Sequence, residues 1–187
     1  MGAGSSGSAI AYRLAQENNM KVLLIEYGGH NKSVFIDMPA ALSYPMNMKK
    51  YNWGFNTEPE QNLFGRSLIC PRGKGLGGSS SINGMIYVRG HPQDFDNWST
   101  QGASSWSFSD VLPYFKKMEF CENRNSPWRG KNGLIRIKTA EQKNVLHQVF
   151  SEAAIQSGYS LTEDYNGYKQ EGIGAAEMTI HLSLIHI

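Results

Sequence analysis

Two stretches of this chain carry residues suited to gripping an anionic or flat ligand through the backbone. In Arg72-Gly73-Lys74-Gly75-Leu76-Gly77-Gly78-Ser79-Ser80-Ser81-Ile82-Asn83-Gly84, glycines without a Cβ let backbone N–H groups approach a ligand closely. The serines and Asn83 add short hydrogen-bonding groups. Arg72 and Lys74 add positive charge, and the apolar run Met85-Ile86-Tyr87-Val88 follows at once, which a flexible linker would not show. The other stretch, Gly2-Ala3-Gly4-Ser5-Ser6-Gly7, fits G-x-G-x-x-G. Glu26 stands at about the twenty-residue separation at which an acid accepts hydrogen bonds from a nucleotide ribose. Helical spacing runs from Ser8 to Asn18, and Lys21–Glu26 reads as a buried parallel strand. Turn, helix, strand and terminal carboxylate are the parts of a dinucleotide-binding βαβ unit, with pyrophosphate held at the helix N-terminus.

Elsewhere the chemistry is sparse. His30, His91, His147, His181 and His186 stand apart from partner groups and read as surface or loop residues. Cys70 and Cys121 have neither metal-site nor disulfide spacing and read as ordinary thiols. Prolines and aromatics between His30 and Leu68 argue against long regular elements there, and Trp53 is placed at the border of a nucleotide or flavin pocket. Ser109–Phe120 reads as a helix capped by Ser109, with Pro113 tolerable only in its first turn. Leu134–Lys138 alternates as a one-sided strand, pointing to an antiparallel sheet, and Leu146, Val149, Phe150 and Ala153 mark a helix face that stops at Gly158. The fold class is α/β: a Rossmann-like domain over residues 1–126 lacking its first strand, then the start of an α+β substrate domain over 127–180.

The 187 residues carry 18 basic and 16 acidic side chains, a net charge of +2, which gives no electrostatic case for nucleic acid. No apolar run reaches the ~20 residues of a membrane span.

Together these words resemble the glucose–methanol–choline (GMC) oxidoreductases, and within them the choline-oxidising branch. The segments that carry the resemblance are Tyr51-Asn52-Trp53-Gly54-Phe55-Asn56-Thr57-Glu58-Pro59-Glu60, the Arg72–Gly84 tract, Tyr87-Val88-Arg89-Gly90 and Asp164-Tyr165-Asn166-Gly167-Tyr168-Lys169-Gln170-Glu171-Gly172. The resemblance implies FAD as cofactor, with Gly2, Gly4, Gly7 and Glu26 on its ADP half and Gly75 with Asn83, Gly84, Met85 and Ile86 on the flavin side. Ser5, Ser6, Trp53, Arg72, Gly77, Gly78 and Ser79 complete the expected cofactor residues, and a Cβ at Gly4 or Gly78 is expected to collide with the cofactor. Some relatives attach FAD through a histidine where this chain has Ile82, so non-covalent binding is expected. The implied reaction is hydride transfer from a primary alcohol to the flavin, choline giving betaine aldehyde, with electrons passed to a quinone or the respiratory chain. Another alcohol, or a non-catalytic nucleotide-binding module, are the alternatives. The family's catalytic histidine is expected beyond Ile187, and no metal site is expected. The cytoplasm or the inner membrane is the compartment the resemblance favours. The chain is expected to be an N-terminal portion, inactive and poorly folded as written, and His181-Leu182-Ser183-Leu184-Ile185-His186-Ile187 is similar to translated sequencing adapter.

Overall fold

The computed structural model describes residues 2–17, 19–181 and 184–185. Of the tail expected to be foreign, Leu182, Ser183, His186 and Ile187 lie outside the described residues. Among the described residues the chain forms two compact units, one of residues up to Met85 together with Leu184 and Ile185, and one running Ile86–His181. The boundary expected at residues 126/127 falls inside the second unit.

In the first unit, helix α1 spans Ser5–Ala15, beginning earlier than the Ser8 expected. Its N-cap Gly4 has extended backbone and offers no capping side chain. The expected strand Lys21–Glu26 is not one: among the described residues no ladder pairs with it, and Leu23 and Ile25 are exposed. An apolar run specifies burial or a strand only when a neighbour supplies the hydrogen-bonding edge. Short helices α2 (Val34–Asp37) and α3 (Ser43–Asn47) and the two-residue antiparallel pair β1 (Phe55–Asn56) and β2 (Ile69–Cys70) follow. Ile36, Tyr51 and Ile82 form the apolar centre of this unit, with Met46 and Met48 packed on it.

The second unit opens with α4 (Pro92–Thr100), capped by His91, whose Nδ1 accepts from Gln93 N. Helix α5 is Phe108–Met118 and its cap is Ser107, not Ser109. Ser107 and Asp110 close a reciprocal capping box, which satisfies two donors where a cap at Ser109 would satisfy one. Pro113 consequently lies inside the helix rather than in its first turn. Strand β3 (Glu119–Cys121) pairs parallel with β4 (Ile135–Thr139), and β4 pairs antiparallel with β5 (Glu177–Met178). The sheet is therefore mixed, not antiparallel as expected. Alternation along β4 buries Ile137 against Tyr87 and Cys121. Helix α6 (Val145–Gln156) ends as expected at Gly158: Gly158 N bonds Ile155 O and Tyr159 N bonds Ala154 O, the paired bonds of a Schellman turn.

The interior of the second unit is also ionic. Arg129 donates to Glu119 and Glu177 at 2.9 Å each and to Asp164 at 2.7 Å. Arg89 Nη2 lies 2.7 Å from Glu119 Oε1 as an ion pair without hydrogen-bond alignment. Asn166 Nδ2 adds a bond to Glu177 at 2.8 Å. Glu119 is 0 % and Glu177 1 % exposed, so these charges depend on their buried partners rather than on water.

Candidate functional site

Three segments converge at the N-terminal end of α1. Ala3 O accepts from Gly77 N at 2.8 Å, and Gly4 and Gly77 form a one-residue parallel bridge. The two glycine tracts are thus sewn together directly. Gly78 has φ +55, and a Cβ there would lie 2.9 Å from Gly4 Cα. The close approach expected between these glycines and a ligand is first of all an approach of one tract to the other. At Gly4 itself a Cβ would meet only Gly78 Cα, at an ordinary 4.0 Å.

Glu26 joins the same place from a third segment. Its Oε2 accepts from Ala3 N at 3.0 Å, and its Oε1 from Gly75 N at 2.9 Å and Gly28 N at 3.1 Å. The Gly28 N–H does most to hold this carboxyl below the usual range; slight burial opposes it, and the Gly75 and Ala3 N–H groups add to the lowering.

These segments wall an open groove of about 800 Å³. Of the expected residues, Gly2, Gly4, Ser5, Ser6 and Gly7 line it from α1 and its turn. Glu26, Trp53, Arg72, Gly78 and Ser79 line the remainder. With no side-chain cap and no acid in its first turn, α1 leaves its N-terminal N–H groups to the groove. Arg72 is seated by its own backbone, which donates to Asn52 Oδ1 at 3.0 Å.

Other expected residues act behind the wall. Gly75 is held by Glu26, and Gly77 by Ala3. Ser79 Oγ accepts from Gly73 N, whereas the Ser80 and Ser81 hydroxyls donate to Gly77 O and Leu76 O. The serines therefore brace the tract from within. Asn83 Oδ1 accepts from Met85 N at 2.9 Å, and buried Met85 sits at φ +61. Gly84 is exposed. Ile86 belongs to the second unit, where it bridges to Met178.

Ile10, Ile25, Gly73 and two aromatic residues also line the groove and were not among the expected cofactor residues. Tyr27 packs on Trp53 with ring centroids 4.8 Å apart, and Phe55 stacks on Trp53 at 6.3 Å. Tyr27 directly follows Glu26, and Phe55 shares strand parity with Trp53; those spacings were the available signal. Asn52 was also missed: it is buried, and its side chain bonds Arg72, Gly54 and Met46. Of the histidines, His91 caps α4 and His147 Nδ1 lies 3.2 Å from Ser151 Oγ. No group of metal-ligating side chains occurs among the described residues, and no described helix is long and apolar enough to cross a membrane.

Comparison with known proteins places this groove in context. Residues 2–181 match the N-terminal part of the family described as GMC oxidoreductase. The oxygen-dependent choline dehydrogenase of Brucella anthropi is 55% identical over 181 residues, covering 97% of this chain and 33% of that protein. The protein of the same name from Rhizobium etli is 53% identical over 180 residues, covering 96% and 33%. The chain spans about a third of the length of the curated relatives it matches. Among solved structures, pyridoxine 4-oxidase from Mesorbium loti superposes with a TM-score of 0.90 at 32% identity, over 96% of this chain and 36% of that one. A formate oxidase gives 0.84 at 30%, over 96% and 33%. These structures share the α/β cofactor-binding fold class expected from the sequence. With the match running from Gly2 to His181, this chain belongs to the GMC oxidoreductase family.

Proposed function

We propose that this protein is an FAD-dependent dehydrogenase of a primary alcohol, with choline as substrate and betaine aldehyde as product. The observation that carries the reading is the convergence of both glycine tracts, Glu26 and the uncapped end of α1 on one groove. The groove fits a dinucleotide in size, within the ~300–1,000 Å³ of ligand pockets. Its donor set fits as well. First-turn N–H groups of α1 suit a pyrophosphate, and Arg72 adds a cation beside them. Glu26 Oε2 accepts a single protein N–H and so keeps acceptor capacity for a ribose hydroxyl. Tyr27, Trp53 and Phe55 offer a flat apolar face to a planar ring.

When bound, FAD supplies the acceptor for a hydride leaving the alcohol carbon. The chain's own part is to bind and orient it. No nucleophile stands at Ile82, which is buried against Ile36 and Tyr51, and this supports non-covalent binding. The choline assignment is supported by the identity with the Brucella and Rhizobium proteins.

Acid precipitation of the full-length enzyme that carries this chain is expected to release all yellow chromophore to the supernatant, and anaerobic choline is expected to bleach its native flavin. Flavin pelleting with the protein would refute non-covalent binding, and bleaching by another alcohol but not by choline would reassign the substrate. We assign the electrons to a quinone or the respiratory chain, so a quinone analogue is expected to restore the colour much faster than air. Equal or faster recovery in air would give them instead to oxygen, the acceptor named for the relatives.

A further inference from the structure

We infer that Glu26 is a positioning residue that assembles the two glycine tracts into one groove before any ligand enters, a role separate from accepting a ribose hydroxyl. The inference rests on reading the groove as the FAD site. Its geometric basis is that one carboxylate collects backbone N–H groups from three segments: Ala3 of the first turn, Gly28 after its own segment, and Gly75 of the second tract. A ribose acceptor at a strand end needs none of these. Gly75 is separated from Glu26 by 49 positions in sequence, so this bond fixes a long-range closure rather than a local turn.

The surroundings are built for that closure. Gly28 passes so near the second tract that a Cβ on it would fall 2.3 Å from Gly75 N and 2.6 Å from Lys74 C. Real Cβ atoms do not come so close to backbone, so Gly28 admits the contact through which Glu26 reaches Gly75. On the far side, the Ala3 peptide is held at both ends: its N–H by Glu26 and its carbonyl by Gly77 N. Glu26, Ala3, Gly77 and Gly75 thereby close a ring of contacts around the groove's inner end. The charge matters because a carboxylate accepts such bonds about twice as strongly as a neutral amide oxygen does. Preformed in this way, the groove does not spend binding energy on ordering its loops.

Two measurements on the full-length enzyme that carries this chain separate this role from ribose recognition. The first is amide hydrogen exchange in the flavin-stripped protein, comparing wild type with Glu26→Gln. Exchange at Ala3 and Gly75 is expected to accelerate about tenfold or more in the variant, in the absence of any ribose. The second is titration with FAD and with FAD whose adenosine carries 2′,3′-dideoxyribose. A latch predicts that Glu26→Gln weakens binding of the dideoxy cofactor as well as of FAD; a ribose acceptor with no latch role predicts a penalty for FAD alone. Gly28→Ala, which leaves the carboxylate intact, is expected to reproduce the faster exchange at Gly75. Unchanged exchange at Ala3 and Gly75 in Glu26→Gln would overturn the inference, as would a penalty that vanishes with the dideoxy cofactor. Failure of the wild-type protein to take up FAD would instead count against the proposed cofactor, and the exchange measurement would still decide the latch.

Discussion

Replacing Arg129 with methionine is expected to cost about 3–5 kcal/mol of stability, the range for removing one partner of a buried ion pair. Arg129 is the hub of the ionic interior: its guanidinium serves Glu119, Glu177 and Asp164 together. Methionine fills most of the volume but leaves two carboxylates buried with too little positive charge. The pH dependence changes sign as well. Burial pushes the Glu119 carboxyl up, but the bonds from Arg129 and Gly130 N–H and the charges of Arg89 and Arg129 outweigh it and hold its pKa below the ordinary 4.5. Native stability from this group is therefore full above that ordinary value and is lost as pH falls through the depressed one. In Arg129→Met, Glu119 loses the bond and charge of Arg129, and its burial is expected to push its carboxyl up, so stability is lost as pH rises. Urea midpoints at mildly acidic and neutral pH check this. A variant that is destabilised by under 1 kcal/mol, or whose deficit shrinks toward neutral pH, would contradict the assignment of Arg129 as hub.

The second large effect is expected at Gly78. Alanine there must adopt φ near +55 and place its Cβ against Gly4 Cα. Left-handed backbone costs a non-glycine residue about 1–2 kcal/mol, and forcing apart two packed backbones costs about 1–3 kcal/mol more. Since each ~1.4 kcal/mol is tenfold in affinity, Gly78→Ala is expected to lose FAD by well over tenfold and to emerge colourless from gel filtration. The second unit should keep its own stability, because Gly78 lies wholly within the first. Full flavin loading of this variant would show that the contact between the glycine tracts does not shape the groove.

Much of the groove was legible because its residues are unusual for backbone reasons. Glycines at the spacing of Gly2, Gly4 and Gly7, and the acid at Glu26, have few alternative explanations. The Schellman end of α6 was legible for the same reason, since Gly158 at φ +87 is a residue type with one common use. Less was readable where the decisive partner is remote. Lys21–Glu26 has the composition of a strand but no ladder among the described residues, and composition does not reveal whether an edge is supplied. Ser107 and Ser109 are equally good caps locally, and only the reciprocal bond that Ser107 N donates to the Asp110 carboxylate favours the first. The ionic interior left a fainter trace. Glu119 and Glu177 begin strands whose neighbours are apolar, yet a lone acid at a strand end reads as solvated until its arginine is found ten or more positions away. Partnership across such distances is a property of the fold rather than of any window of sequence.

The ionic interior also bears on the order in which this polypeptide becomes structured during synthesis. Arg129 meets Glu119 across 10 positions but Glu177 across 48. Until the ribosome has released Glu177 and Asn166, a nascent second unit holds Arg89 and Arg129 without one of the three carboxylates that pair with them, and without the amide that bonds it. Burying them in that state is unfavourable, so helices α4 and α5 can form early while the sheet waits. Closure then comes late and all at once, when β5 arrives and supplies the missing carboxylate.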